Sequence, residues 1–361
     1  TTTKDLVANL VGDLGPTVAP ENSFNNEIGH PLTVLRADAE TRYLITELSA
    51  RGPGHIASLC QIAPPRLGVV LCIGNAHAGE FGGLARVAAA KSELPRALPA
   101  DGVAILNADD PLVSAMASST AARVVTFGRV AGADVRASSV QLDGLSRPTF
   151  NLEMPDGTAV VALRLHGEHN VTNALAAAAL AGQLGMDVGA IAAGLSAPQA
   201  LSKWRMEVTE RPDGVIVVND AYNASPEAVA AALEAVRVMA GGRRAYAVLG
   251  RMAELGERSR EFHEQAGTVA ARAGLAGLIA VGDEAAPMLT GAKAVAGYAG
   301  ELIAVADSAA ALAALGDRLQ PGDVVLVKAS RAAGLENIAL ELAAVGPGGS
   351  SSRDDTGEAA L

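Results

Sequence analysis

Short apolar, β-branched runs alternate along this chain with longer stretches in which small apolar residues recur at helical spacing. In the first half Tyr43–Leu48, Leu67–Ile73, Gly102–Asn107 and Arg123–Phe127 read as strands, with helices at Gly54–Gln61, Gly83–Leu98 and Pro111–Ser118 between them. That rhythm predicts a mostly parallel sheet with crossover helices. It then breaks. Val135–Val140, Thr149–Glu153 and Ala159–Leu165 follow one another with turn signals at Asp143-Gly144 and Asp156-Gly157, which predicts a small antiparallel patch. An Ala-rich helix over Asn170–Leu184 and another over Val188–Gly194 follow.

A second α/β series begins after Ala197–Lys203. Its strands are Val215–Asn219, Arg244–Leu249, Gly277–Val281 and Asp323–Val327; its helices are Pro226–Met239, Arg258–Ala273, Glu284–Thr290, Ser308–Leu319 and Leu335–Ala344. We therefore expect one α/β domain over 1–200, a second over 201–345, and a disordered Gly/Ser-rich tail over 346–361.

Composition narrows the function. Half of the 361 residues are apolar, enough for two sizeable cores, and aromatics are only 3%, so Ala and Gly must do much of the packing. A net charge of −11 argues against a general nucleic-acid or anionic-membrane surface. Cys60 and Cys72 form no CxxC pair and read as thiols of a reducing cytoplasm. No run of apolar residues is long enough to span a membrane, so no membrane insertion is expected.

Chemistry-bearing residues gather at predicted strand ends, where doubly wound sheets bind ligands. Glu47 ends YLITEL. His77 lies in GNAHAGEFGG after LGVVLCI, and Lys91 follows on the next helix in AAAKSELPRAL. A carboxylate, an imidazole and a phosphate oxygen would make an ordinary ligand set for a hard divalent cation. A buried lysine amine can also become reactive. The bland readings are a solvated strand-end acid, a surface His and a snorkelling Lys. Thr1 opens a helix and reads as a cap, or as the hydroxyl that follows a phosphate loop. Asn25 and Asn26 in SFNNEIGHP read as turn caps or as amide donors to a ligand. Asn170 reads as the N-cap of the Ala-rich helix, with Asn173 one turn on. In the second half DAYNASP carries Asp220, Tyr222 and Asn223 beyond a strand that ends VVN. Ser225 and Pro226 there have an ordinary cap-and-N1 role. The loop LGRMAELG carries Arg251, and VKASRA carries Lys328, Ser330 and Arg331. Three polar loops from one sheet edge make a site for a nucleotide or charged substrate.

SFNNEIGHPLTVL, NAHAGEFGG, AKSEL, GEHNVTNALAA, DAYNASPEA, LGRMAELG and VKASRA together resemble the Mur ligases, the ATP-dependent amide-forming enzymes of peptidoglycan precursor synthesis. The resemblance runs from Thr1 to Ala344. It is strongest to the branch that joins D-alanyl-D-alanine to UDP-N-acetylmuramoyl-tripeptide. It implies a central P-loop-type ATPase domain followed by a Rossmann-like domain, in a cytoplasmic monomer. It also implies ATP and two magnesium sites. By the same resemblance Thr1, Glu47 and His77 are metal ligands and Lys91 is carbamylated by CO₂ into a further anionic ligand. Asn170 and Asn173 would lie near adenine. Arg205, Asp220 and Tyr222 would reach ATP on domain closure. Asn25, Asn26, Asn223, Lys328, Ser330 and Arg331 would contact substrate. The chain departs from the family pattern at Leu48-Ser49, Ser92, Arg251 and Ala329. No GxxGK precedes Thr1, and the family's N-terminal sugar-binding domain has no counterpart here, so weak or no ATP binding is expected of this chain by itself. The alternatives are another member of the superfamily, either an amino-acid-adding Mur ligase or a folylpolyglutamate synthase, and a non-catalytic nucleotide-binding fragment.

Overall fold

A computed structural model describes residues 1–74, 83–198 and 202–344. Two six-stranded sheets organise it. A two-stranded parallel pair, β1 (Thr17–Val18) and β2 (Tyr43–Leu44), stands beside the first.

The first sheet runs in sequence order: β3 (Leu67–Val70), β4 (Val103–Asn107), β5 (Arg123–Gly128), β6 (Val135–Leu142), β7 (Pro148–Met154) and β8 (Gly157–Ala162). β3 to β6 are parallel, and β6 to β8 form the antiparallel patch that the turn signals predict. One face is covered by the helices Thr2–Gly12, Asn170–Gln183 and Val188–Ser196. Leu6, Leu10, Phe127, Phe150, Leu152, Leu175 and Ile191 fill that core. Ala174, Ala176, Ala177, Ala178, Ala179 and Ala181 are all fully buried, so the Ala-rich helix is the sheet's central support. Gly194 allows the first and last of these helices to touch, since a Cβ there would sit 2.5 Å from Leu10 Cδ2. The opposite face packs Val70, Leu106, Val113 and Met116.

The second sheet comprises β9 (Glu207–Glu210), β10 (Ile216–Asp220), β11 (Ala245–Leu249), β12 (Gly277–Val281), β13 (Glu301–Val305) and β14 (Val324–Lys328), in spatial order β9-β10-β14-β11-β12-β13. All pair in parallel except β9, which is antiparallel to β10. Every residue of β11, β12 and β14 is buried, as expected of strands covered on both faces. On one face the helices Ser259–Arg272 and Pro287–Lys293 cross closely. A Cβ on Gly267 or Gly291 would lie 1.7 Å from a carbonyl oxygen of the other helix, so neither position tolerates a side chain. Because β14 returns between β10 and β11, the carboxyl ends of these three strands are neighbours. That is the switch point at which such sheets bind ligands.

Several boundaries differ from expectation. The strand expected over Tyr43–Leu48 stops at Leu44, and the chain from Ile45 to Ala50 is irregular. The helix expected over Gly83–Leu98 breaks at Ser92 into Leu84–Lys91 and Glu93–Ala97. β1, β9 and β13 were not predicted. β9 (EVTE) is an edge strand with little buried surface and a weak apolar signal, whereas β13 (ELIAV) is an apolar edge run that went unassigned. The expected boundary near residue 201, His77 and the tail over 346–361 lie outside the described residues.

Candidate active site

Helix Thr2–Gly12 starts at Thr1, yet the Thr1 side chain makes no cap bond to it. Its Oγ1 instead lies 2.7 Å from Ser23 Oγ, donates to Glu47 Oε1 at 3.0 Å and accepts from Arg205 Nη2 at 2.8 Å. Arg205 Nη2 is also 2.8 Å from Ser23 Oγ, and Asn25 Nδ2 donates to Glu47 Oε1 at 2.8 Å. Thus a helix start, a loop, the segment after β2 and the inter-domain segment meet at one point. The cap reading of Thr1 is wrong because the hydroxyl has charged partners outside the helix.

Two atoms in this cluster remain unmatched. Glu47 Oε2 and Arg205 Nε are both buried without a hydrogen-bond partner. Burial raises the Glu47 carboxyl pKa. The Asn25 and Thr1 hydrogen bonds and the Arg205 charge act the other way and favour the ionised form. A buried carboxylate oxygen without a hydrogen bond beside a threonine hydroxyl suits a hard cation, and a guanidinium N–H without an acceptor suits a phosphate oxygen. Among the described residues no group of three or more His, Cys, Asp and Glu side chains converges. A divalent ion here would therefore be held by few protein ligands plus phosphate and water, as magnesium usually is.

Lys91 ends the helix Leu84–Lys91, and its Nζ donates to the Cys72 carbonyl at 2.7 Å, just past β3. The helix is seated by Val87 and Ala90 against Ala50 and Ile73, so it adjoins the segment leaving Glu47. The structure places Lys91 on the neighbouring strand's end, with no contact to Glu47. Across from it stands Glu227, in the first turn of the helix Pro226–Ala240. A Cβ on Gly74 would meet its carboxyl group at 3.3 Å. Glu227 was not singled out from the sequence, because a Glu at N2 of a helix reads as an ordinary dipole partner.

Asn170 is not the N-cap of its helix; His169 is. Asn170 is buried, donates to the His166 carbonyl at 2.8 Å and accepts from Asn173 Nδ2 at 2.8 Å, while Asn173 Oδ1 accepts from Thr3 at 2.9 Å. The pair ties this helix to the one that starts at Thr1.

In the second half Lys328 is the centre. Its Nζ donates to Asp220 Oδ2 at 2.5 Å and to the Asn223 carbonyl at 2.8 Å, joining the ends of β14 and β10. Asp220 Oδ1 accepts from Met206 N–H at 3.1 Å. Tyr222 lies under the Arg205 guanidinium, 4.3 Å from carbon to ring centre. Ser330 is spent locally: its Oγ accepts from Ala253 N–H at 2.8 Å. Arg331 pairs with Glu336 at 2.6 Å and covers the Trp204 ring at 4.6 Å. Arg251 pairs with Glu284 at 2.8 Å. Asn26 Oδ1 accepts from the Ile28 and Gly29 N–H groups, which is the turn role, whereas its neighbour Asn25 faces Glu47. Ser23, like Glu227, was missed from the sequence. It stands in the same SFNN string, and no local signal separates it from a turn serine.

Comparisons with known proteins identify the family. The family profile of the Mur ligase middle domain matches residues 1–181, and that of the Mur ligase glutamate ligase domain matches residues 204–331. The chain belongs to the Mur ligase family. It is 49% identical over 361 residues to the UDP-N-acetylmuramoyl-tripeptide–D-alanyl-D-alanine ligase of Mycobacterium tuberculosis, covering 95% of this chain and 71% of that one. The Escherichia coli enzyme of the same name is 34% identical, covering 95% and 74%. Among solved structures, MurF from Acinetobacter baumannii superposes with a TM-score of 0.84 at 30% identity, covering 95% of this chain and 74% of that chain. MurF from Thermotoga maritima in complex with ADP gives 0.80 at 29%, covering 94% and 76%. The chain thus spans about seven-tenths of the length of the relatives that it matches.

Proposed function

We propose that this Mur ligase chain carries the ATPase and C-terminal portions of an enzyme that joins D-alanyl-D-alanine to UDP-N-acetylmuramoyl-tripeptide in cytoplasmic peptidoglycan precursor synthesis. The observation that carries the chemistry is the Thr1–Ser23–Glu47–Arg205 cluster, in which a buried carboxylate oxygen and a buried guanidinium N–H both lack a hydrogen bond. The named ligases to which the chain is 34–49% identical carry the choice of substrates.

ATP phosphorylates the terminal carboxylate of the tripeptide. The amine of D-alanyl-D-alanine attacks the acyl phosphate, and phosphate leaves from the tetrahedral intermediate. Little covalent work falls to the protein; positioning and charge neutralisation dominate. Thr1 and Glu47 would hold magnesium, and His77 and Lys91 would serve a second ion. Magnesium bound here neutralises phosphate charge. Addition of CO₂ to the neutral Lys91 amine, with loss of a proton, would convert the cation now resting on the Cys72 carbonyl into a carboxylate-like ligand. Arg205 turns its free N–H to the transferred phosphate. Asn170 and Asn173 lie towards adenine, and Asp220 and Tyr222 reach the nucleotide from the C-terminal half. Asn25 lies towards the substrate, and Asn223, Lys328 and Arg331 border the amine's approach. Asn26 and Ser330 support that surface through their loops.

Amine acceptors discriminate the readings. The protein in its longest natural form should release phosphate from ATP with the UDP-linked tripeptide and D-alanyl-D-alanine together. Turnover with a single amino acid or with glutamate, and none with the dipeptide, would assign it to another branch of the family.

A further inference from the structure

The segment between the two halves is strained at two non-glycine positions. Trp204 (φ 58°) and Met206 (φ 52°) both lie in the left-handed region, which is strained for side chains of this size and persists only where the surroundings impose it. Here the C-terminal half imposes it. Trp204 N–H donates to Glu207 Oε2 at 3.2 Å, and its carbonyl accepts from Tyr222 N–H at 3.2 Å. Met206 N–H donates to Asp220 at 3.1 Å. Arg331 stacks on the indole, and Arg205 itself stacks on Tyr222. The first half takes hold earlier: Ser202 N–H and hydroxyl both donate to the buried Asp5 carboxylate, at 2.9 and 3.3 Å. Lys203 alone lies between the two anchorages, and it is exposed.

We propose that Trp204, clamped by Arg331, is the positioning residue that makes Arg205 a rigid arm of the C-terminal half, with Lys203 as the pivot. Rotation of that half carries Trp204 to Met206 with it and draws the Arg205 guanidinium off Thr1 and Ser23. Rotation back delivers the charge beside Glu47. The position of the arm and the position of the domain are then one variable, and a loosened Trp204 uncouples them. The kinetic arm of the test rests on the ligase reading above; the spectroscopic arm does not.

In the longest natural form of the enzyme, Trp204→Ala should lower kcat by about 10- to 100-fold, as a misplaced group does, with KM for ATP within about threefold. Trp204→Phe, which keeps a ring for Arg331, should restore most of kcat. In an Arg205→Ala background Trp204→Ala should cost nothing further, since the arm it positions is gone. Multiplying losses in the double variant, or a Trp204→Ala enzyme with lowered Tm but full kcat, would overturn the proposal. Independently, the ¹⁹F resonance of 5-fluorotryptophan at position 204, assigned by its loss in Trp204→Phe, should keep its shift when magnesium and a non-hydrolysable ATP analogue are added, and should move in Arg331→Lys. A nucleotide-induced shift as large as that caused by Arg331→Lys would mean that the clamp breaks on closure, and the rigid arm would be refuted. An enzyme inactive with all acceptors would sink the ligase reading and leave this arm to decide.

Discussion

Lys328→Met is the sharpest perturbation of the C-terminal switch point. The lysine is 2% exposed and its partner Asp220 is 13% exposed. The ammonium group satisfies two acceptors, the Asp220 carboxylate at 2.5 Å and the Asn223 carbonyl at 2.8 Å. Met fills similar volume but leaves Asp220 as a largely buried carboxylate whose remaining bond here is to Met206 N–H. Removing one partner of a buried pair costs about 3–5 kcal/mol, mostly as the penalty of the orphaned charge. Asp220 keeps some access to water, so we expect a loss of about 3 kcal/mol. For a protein of 150–250 residues each kcal/mol is worth about 2–4 °C in Tm, and the C-terminal half is near that size, so its transition should fall by roughly 6–12 °C. Asp220→Asn in the same chain removes the stranded charge and keeps an acceptor for Met206, and should recover most of the loss. Urea unfolding followed by Trp204 fluorescence measures the parent and both variants. A Lys328→Met variant within about 1 kcal/mol of the parent, or a double variant no better than the single, would refute the reasoning.

Other outcomes follow from the same geometry. Lys91→Ala should abolish ligation in the longest natural form of the enzyme, and short-chain carboxylic acids should partly restore it; full activity without rescue would exclude the carbamate. His263 is buried, accepts from Met252 N–H at 2.9 Å and lies 2.7 Å from the Ser259 carbonyl, and burial lowers its pKa from 6.5. Its neutral form is the folded one. Its contribution to stability is complete above pH 6.5 and declines as the pH falls below that value towards its folded pKa. Urea midpoints between pH 7.5 and 5 should fall, and less steeply in His263→Gln. The Cys60 thiol is pushed up to about 11, chiefly by burial, so iodoacetamide at pH 8 should label it slowly in the native protein and quickly in urea.

The fold was legible where the physics is local. Buried parallel strands such as Val324–Lys328 and Gly277–Val281 are continuous apolar runs, and the Asp-Gly turns announced the antiparallel patch. Edge strands such as Glu207–Glu210 gave little signal, because half of their surface faces water. At the site, Glu47 and Asn25 were nameable from their strings and Arg205 through the family resemblance, and the structure brings them together. Ser23 and Glu227 were not, since a loop serine and a helix-N2 glutamate are ordinary until tertiary packing gives them partners. Asn170 shows the reverse error. Its sequence position suggested a cap, but the helix begins one residue earlier, freeing the amide to bridge His166 and Asn173.

The most direct test is an anomalous difference map of the protein in its longest natural form with Mn²⁺ and a non-hydrolysable ATP analogue. The account predicts a metal peak about 2.1 Å from both Glu47 Oε2 and Thr1 Oγ1, with the Arg205 guanidinium turned onto a phosphate oxygen. An ordered nucleotide whose metal lies out of reach of both residues would contradict it.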